Sequence, residues 1–373
     1  MKKILNIIII IVSIYSCKKR QSEFKIHGKI EGVENSKDTL WEYKYESGWI
    51  IIDTTRILNN EFLFHGTVAL PKPYYLAIDG ISDDVLIFIE NCNMYININK
   101  DNFKQLKING SELNDQYAAY LKFREANFDN KIDSLRKLKD ISIANGNTVL
   151  VESISKKIDQ VEFELKENAI SFVKENNSSI VSPVIVGTGP ERYMLNHDDL
   201  MEILNSFDIS IKGTDQVKEL QIIYDGLINK SNGSPIHHLV INDTIGNPVS
   251  THMFEGRVWL LDFWSSKCGP CRKENPVMER VYQKYKPFGF EIYGVSFDSK
   301  SKEWIKAIKQ DKISWIQVCE LKGWANAAKI IYGIEYLPQN LLVNRDGIII
   351  ASGLTGETLD SKLAEIYNRL YYD

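Results

Sequence analysis

The sequence predicts an α/β domain with a mixed sheet and flanking helices over residues 234–373, an antiparallel β domain over 24–110, and a helical region between them. Three observations carry this prediction. The apolar run 258–263 passes into Cys268-Gly269-Pro270-Cys271 and then into a helical stretch. Short alternating segments separated by turn residues fill 24–110. Long apolar stripes of helical period fill 112–176.

At 373 residues the chain exceeds one ordinary domain. Hydrophobic residues make up 44% and charged residues 25%, and the net charge is −4, which excludes nucleic-acid binding through a basic surface. Lys2 and Lys3 precede an apolar run, 4–15, that is too short to span a bilayer. Ser16-Cys17 closes it. Residues 1–17 resemble a bacterial lipoprotein signal with Cys17 as the lipidated residue, although Tyr15 is untypical there. A plain signal peptide or an uncleaved anchor is the alternative, and any of these places the chain outside the cytosol. Residues 18–23 form a short polar, basic tether.

In the β region, 24–30 and 60–67 alternate, and Glu31-Gly32, Asn59-Asn60, Asp79-Gly80 and Asn109-Gly110 mark turns. A sandwich or barrel of short strands is expected. In the middle region, Leu113, Tyr117, Tyr120 and Leu121 begin one helical stripe, and Ile132, Leu135 and Leu138 continue it. A second helix is predicted over 147–175, separated by Asn145-Gly146, so that the two pack as a hairpin. Shorter helices are predicted at 181–186, 198–207 and 216–229. The Gly/Ser/Pro-rich run 230–235 is the expected boundary, giving regions 24–110, 111–233 and 234–373.

Beyond it, strands are predicted at 258–263 and 291–297, with helices at 271–285 and 301–309. Strands 340–343 and 348–351 around Asp346-Gly347, then a helix over 359–371, complete a mixed sheet. Two cysteines one helical turn apart can close a disulfide. Cys268, at a helix N-terminus, gains from the helix dipole as a thiolate. Such a thiolate attacks another disulfide, and Cys271 then displaces the product. Asp262 within the buried run is a carboxylate in a costly place. Pro276 falls inside the following helix and is expected to kink it. Leu337-Pro338, entering a strand, is a candidate cis bond.

These residues resemble the thioredoxin superfamily, and most of all its membrane-tethered thiol–disulfide reductases. Further matches are Asp243–Val249, Tyr293–Asp298, Leu321–Trp324, and Asn344-Arg345-Asp346-Gly347. The resemblance implies that Cys268 is the nucleophile and Cys271 the resolving thiol. It implies that Asp262 accepts the proton of Cys271, that Pro338 after Leu337 lines the partner groove beside Gly269-Pro270, and that Trp264 shields the site. It also places a glutamate at Glu274, where it could tune the thiols. Lys267 stands where an aromatic residue is usual, and this cation would lower the Cys268 pKa. Asp262 stands where many tethered reductases carry Asn, which points to a broadly reducing role. Residues 24–110 resemble a small β domain that precedes thioredoxin domains in Bacteroidetes-type lipoproteins, on Gly28, Asp53-Thr54-Thr55, 62–66 and 71–76.

The expected activity is reduction of protein disulfides in the cell envelope, with electrons from a membrane thiol donor and a lipid anchor holding the protein. No metal and no organic cofactor is expected beyond the Cys268–Cys271 disulfide. A potential nearer thioredoxin's roughly −270 mV than the roughly −120 mV of a strong oxidant is expected. The sequence does not single out a substrate: haem-attachment cysteines of apocytochromes, misoxidised envelope proteins and surface-glycan machinery are the candidates. Two other functions compete. A peroxidase would want a Pro where Leu261 stands and a more distant resolving cysteine. A binding or scaffold lipoprotein would need no complete dithiol. Zinc is disfavoured because no second Cys pair accompanies the first, and His237-His238 point oppositely on a strand. His252 and Glu255 read as a surface loop, and Cys92 and Cys319 as inert small residues.

Overall fold

Alternation of buried and exposed side chains shapes Phe24–Glu31, Glu61–Gly66 and Asn93–Asn99 in the first part of the chain. The computed structural model describes residues 21–31, 33, 37–44, 48–100 and 106–372, so the predicted lipoprotein signal and Cys17 lie outside the described residues. The chain divides into two compact units, 1–41 with 51–115, and 42–50 with 116–373.

Among the described residues, eight strands precede the helical region: β1 (Phe24–Glu31), β2 (Lys37–Lys44), β3 (Gly48–Arg56), β4 (Glu61–Gly66), β5 (Lys72–Ile78), β6 (Asp84–Ile89), β7 (Asn93–Asn99) and β8 (Lys107–Asn109). They form two four-stranded sheets, in the orders β4-β1-β7-β8 and β3-β2-β5-β6. Ile26, Ile30, Phe62 and Phe64 from the first sheet share one core with Leu76, Ile87 and Ile89 from the second. Gly28 is required in β1: an added Cβ would lie 1.9 Å from the ring of Phe62, its partner across the sheet. Asn59 and Asn60 both take positive φ, as a two-residue hairpin turn demands. The pairing of β1 with β7 departs from the antiparallel expectation. β1 and β7 run parallel, which requires a long crossover, and β2 to β6 supply it.

The helical region comprises α1 (Glu112–Arg124), α2 (Asn130–Ala144), α3 (Thr148–Glu175), α4 (Val181–Thr188), α5 (His197–Ser206), α6 (Ile209–Lys212) and α7 (Asp215–Asn229). A π-turn over Glu125–Asp129 joins α1 to α2. Helices α2 and α3 form the expected hairpin, with Phe128, Ile132 and Leu165 buried between them. Asn147 caps α3 by accepting the Leu150 N–H. Asn196 and Asp199 form a capping box on α5.

The C-terminal part begins with the hairpin β9 (Val240–Asn242) and β10 (Pro248–Ser250), then β11 (Trp259–Trp264), α8 (Gly269–Tyr285), β12 (Glu291–Ser296), α9 (Ser301–Asp311) and β13 (Ile316–Cys319). It ends with α10 (Ala327–Tyr332), β14 (Gln339–Val343), β15 (Ile349–Ser352) and α11 (Gly356–Tyr372). The sheet order is β13-β12-β11-β14-β15, with β13, β12 and β11 parallel and the last two strands antiparallel. All six residues of the central strand β11 are buried. Period-two alternation sends Leu260, Asp262 and Trp264 to one face and Trp259, Leu261 and Phe263 to the other. The first face packs α8, α9 and α11, and the second packs α10. Pro276 lies inside α8 without ending it. Among the described residues no helix is long and apolar enough to cross a membrane.

Candidate active site

The loop 265–268 leaves the end of β11 and delivers Cys268 to the N-cap of α8, where its Sγ accepts the Cys271 N–H at 3.1 Å. Cys268 and Cys271 are joined as a disulfide with Cα atoms 5.3 Å apart. Cys271 is 2% exposed and belongs to the core between β11 and α8, whereas Cys268 is only half-buried. Gly269 and Pro270 are exposed. The asymmetry fits one sulfur for outside contact and one for internal closure.

Asp262 lies on the Cys271 face of β11, and among the described residues no donor reaches its carboxylate. Burial, with the like charge of Glu274 adding to it, pushes its pKa up to about 7. Glu274, on the second turn of α8, accepts the N–H of Gly356, the first residue of α11. A side chain at Gly356 would collide with Val277, so its absence lets α11 approach α8. The Leu337–Pro338 peptide is cis. Gln339 pairs with Phe263, which places Pro338 at the sheet end from which the dithiol loop departs. Leu337 packs against the cores on both faces. Trp264 is 1% exposed, and its indole N–H donates to Gln317 at 2.8 Å. Lys267 is exposed and its ammonium faces Glu303 on α9 at 3.4 Å.

Two supports escaped the sequence. Buried Asp298 accepts from the Ser266 N–H (2.9 Å), the Ser266 hydroxyl (2.6 Å) and the Ser296 hydroxyl (2.7 Å), which fixes the loop two residues before Cys268. Arg272, immediately after Cys271, donates to both Asp311 oxygens and to the Ser266 carbonyl, and Asn275 joins it at Asp311. The hint was present as a polar pair, Asp298 and Ser296, closing an apolar strand, but its partner lies 32 residues upstream.

Other candidates stand apart. Cys319 is buried, donates to the Ser296 and Asp298 carbonyls, and has its pKa raised by burial. His238, His252 and Glu255 bring three ligand-type atoms within 4.8 Å of one another. The two imidazoles, however, stack face to face at 3.6 Å and 15°, so their in-plane lone pairs cannot converge on one ion. His237 instead meets Asn229.

A mixed sheet of this order, with a disulfide at the start of the helix that follows its central strand, defines a thioredoxin-fold dithiol protein. Residues 233–352 match the AhpC/TSA family, and residues 24–117 match a family described as a domain of unknown function, DUF4369. The thiol-disulfide oxidoreductase ResA of Bacillus anthracis is 30% identical over 139 residues, which are 36% of this chain and 78% of that protein. ResA of Halalkalibacterium halodurans is 31% identical over 126 residues, 34% of this chain and 70% of that protein. The solved thioredoxin domain of a thiol-disulfide oxidoreductase from Bacteroides vulgatus is 37% identical, covers 36% of this chain and 97% of that domain, and aligns with a TM-score of 0.35. The chain belongs to the ResA-like thiol–disulfide oxidoreductases and is an enzyme of that class. These relatives match little more than a third of its length.

Proposed function

We propose that the protein reduces disulfides of other proteins through Cys268 and Cys271. The supporting observation is the unequal placement of the two sulfurs, one half-buried at a helix N-terminus and one enclosed on the Asp262 face. In the reduced enzyme, the Cys268 thiolate attacks one sulfur of the partner disulfide. A mixed disulfide forms, and the partner's other sulfur leaves as a thiolate. Cys271 then gives its proton to the Asp262 carboxylate and attacks Cys268 Sγ. This closes the Cys268–Cys271 disulfide and releases the partner's second thiolate. The partner gains two electrons and the enzyme loses two. A carboxylate with pKa near 7 is partly ionised at neutral pH and so can take that proton there. Pro338 offers its backbone to the partner chain, and burial, with the charge of Glu274 adding to it, keeps Asp262 from ionising too readily. The exchange uses only sulfur chemistry and calls for no metal or organic cofactor.

In this reading the enzyme works in the cell envelope, held by lipid on Cys17 and re-reduced by a membrane thiol donor. Haem-attachment cysteines of apocytochromes are one substrate class. The apolar run 4–15 ending in Ser16-Cys17 supports the anchor. A peroxidase reading finds no support at position 261, where the proline such a site needs is replaced by fully buried Leu261 in mid-strand.

The test is a trap. Full-length Cys271→Ser should accumulate mixed disulfides with envelope proteins through Cys268, and Cys268→Ser should accumulate none. Equal capture by both variants, or by neither, refutes the proposed exchange.

A further inference from the structure

Residues 331–335 lead out of α10 into Tyr336, Leu337 and Pro338, and the helical region grips them. Asn229 Nδ2 donates to the Ile331 carbonyl at 2.8 Å. Lys230 Nζ donates to the Gly333 carbonyl at 2.8 Å. Arg192 Nη2 stands 3.0 Å from Glu335 Oε1, with Arg192 4% and Glu335 18% exposed. Backbone meets backbone as well: a Cβ on Gly226 of α7 would lie 2.5 Å from the Gly333 nitrogen. Gly333 takes φ +56 to end α10 at this contact.

The grip is itself anchored. Glu191, beside Arg192, is fully buried and accepts from the Tyr120 hydroxyl at 2.7 Å and from Arg124 at 3.3 Å, both on α1. The sulfur side of the site is held by other means, through Asp298 on Ser266 and Asp311 on Arg272. Two supports therefore converge on the site from different elements. One fixes the dithiol, and the other fixes the strand entry that carries the cis peptide.

We propose that Arg192, Asn229 and Lys230 are positioning residues for polypeptide disulfides, holding 331–335 so that Leu337–Pro338 presents a fixed backbone edge to the incoming chain. This rests on the reading of Pro338 as groove-lining. It gives the helical region a task in the reaction. It also separates two substrate kinds. A long partner must lie along the proline edge, whereas a small aromatic disulfide needs only the sulfur.

The experiment compares the full-length enzyme with Lys230→Met, Lys230→Arg and Glu335→Gln, on insulin and on 5,5′-dithiobis(2-nitrobenzoate). For Lys230→Met and Glu335→Gln, KM for insulin should rise about fivefold or more while kcat for the small disulfide stays within about twofold. The equilibrium of the dithiol with glutathione should also stay within about twofold, and Lys230→Arg should recover most of the insulin KM. Glu335→Gln, nearly isosteric, decides the matter if Lys230→Met does not fold. Unchanged insulin KM in a folded variant overturns the proposal, as does an equal loss on both substrates. Failure of the wild-type enzyme on insulin would count against the reductase reading instead.

Discussion

Asp262 is the one ionisable residue in a strand otherwise made of Trp, Leu and Phe, and no donor among the described residues reaches its carboxylate. Its pKa is pushed up from 3.8 to about 7, so the folded state holds a proton that the unfolded chain releases. Stability from this group is therefore complete below about pH 3.8 and is lost as pH rises through about 7. The shift corresponds to a few kcal/mol at alkaline pH, about 1.4 per unit. Urea unfolding should show Asp262→Asn more stable than wild type at pH 8 by roughly 2–4 kcal/mol, with the two converging near pH 4. A variant as pH-sensitive as wild type over that range would show that the carboxylate is not protonated as described. The same variant should slow release of the reduced partner. Asp262, Cys268 and Cys271 were legible in the sequence because a charge in an apolar run and a Cys pair are local patterns. Asp298 was not, since its grip on Ser266 spans two strand ends that only the sheet brings together. Removing it in Asp298→Ala strands buried donors and should cost about 2–4 kcal/mol, read by thermal unfolding, together with slower disulfide closure. No change in either would remove Asp298 from the support of the loop.

At the scale of elements, length decided legibility. Helix α3, Thr148–Glu175, falls within a residue of its predicted span because 28 residues carry a clear period. Helices α6 and α10 and strand β13 have four to six residues, too few to show one. The π-turn between α1 and α2 interrupts a stripe that reads as continuous. Pro276, expected to kink α8, is the eighth residue of a helix that continues to Tyr285. The contact of α7 with α10 gives a prediction whose sign goes against propensity. Gly to Ala inside a helix ordinarily gains up to about 1 kcal/mol. At Gly226 the added methyl would meet the Gly333 backbone at 2.5 Å, which cannot rotate away. Gly226→Ala should therefore lower the melting temperature by several degrees, on the order of 1–3 kcal/mol. A melting temperature at or above wild type would show that the two backbones have room to part.

For the whole molecule, the order of a β region, a helical region and a mixed sheet was legible, because each has its own periodicity. What packs on what was not. The parallel pairing of β1 with β7 and the grouping of residues 116–229 with the dithiol sheet in one compact unit are long-range contacts that no local window contains. The dithiol sheet and the helical region thus lie in one compact unit, while ResA of Bacillus anthracis matches 36% of the chain. Two expectations belong at this scale. Cys17→Ala should move the protein from the membrane to the soluble fraction of cells, and continued membrane association would refute the lipid anchor. The potential of the Cys268–Cys271 couple, equilibrated against glutathione, should fall nearer about −270 mV than −120 mV, and a value above about −180 mV would make the protein an oxidant or isomerase.

The most direct measurement is the pH dependence of alkylation at Cys268 in the reduced enzyme, followed by mass spectrometry. The expected result is half-reaction well below the roughly 8.5 of free cysteine, with Cys271 unreactive over the same range and the pair closing to a disulfide under mild oxidant. A Cys268 that ionises no more readily than free cysteine, or a pair that will not close, would contradict dithiol exchange as the work of this protein.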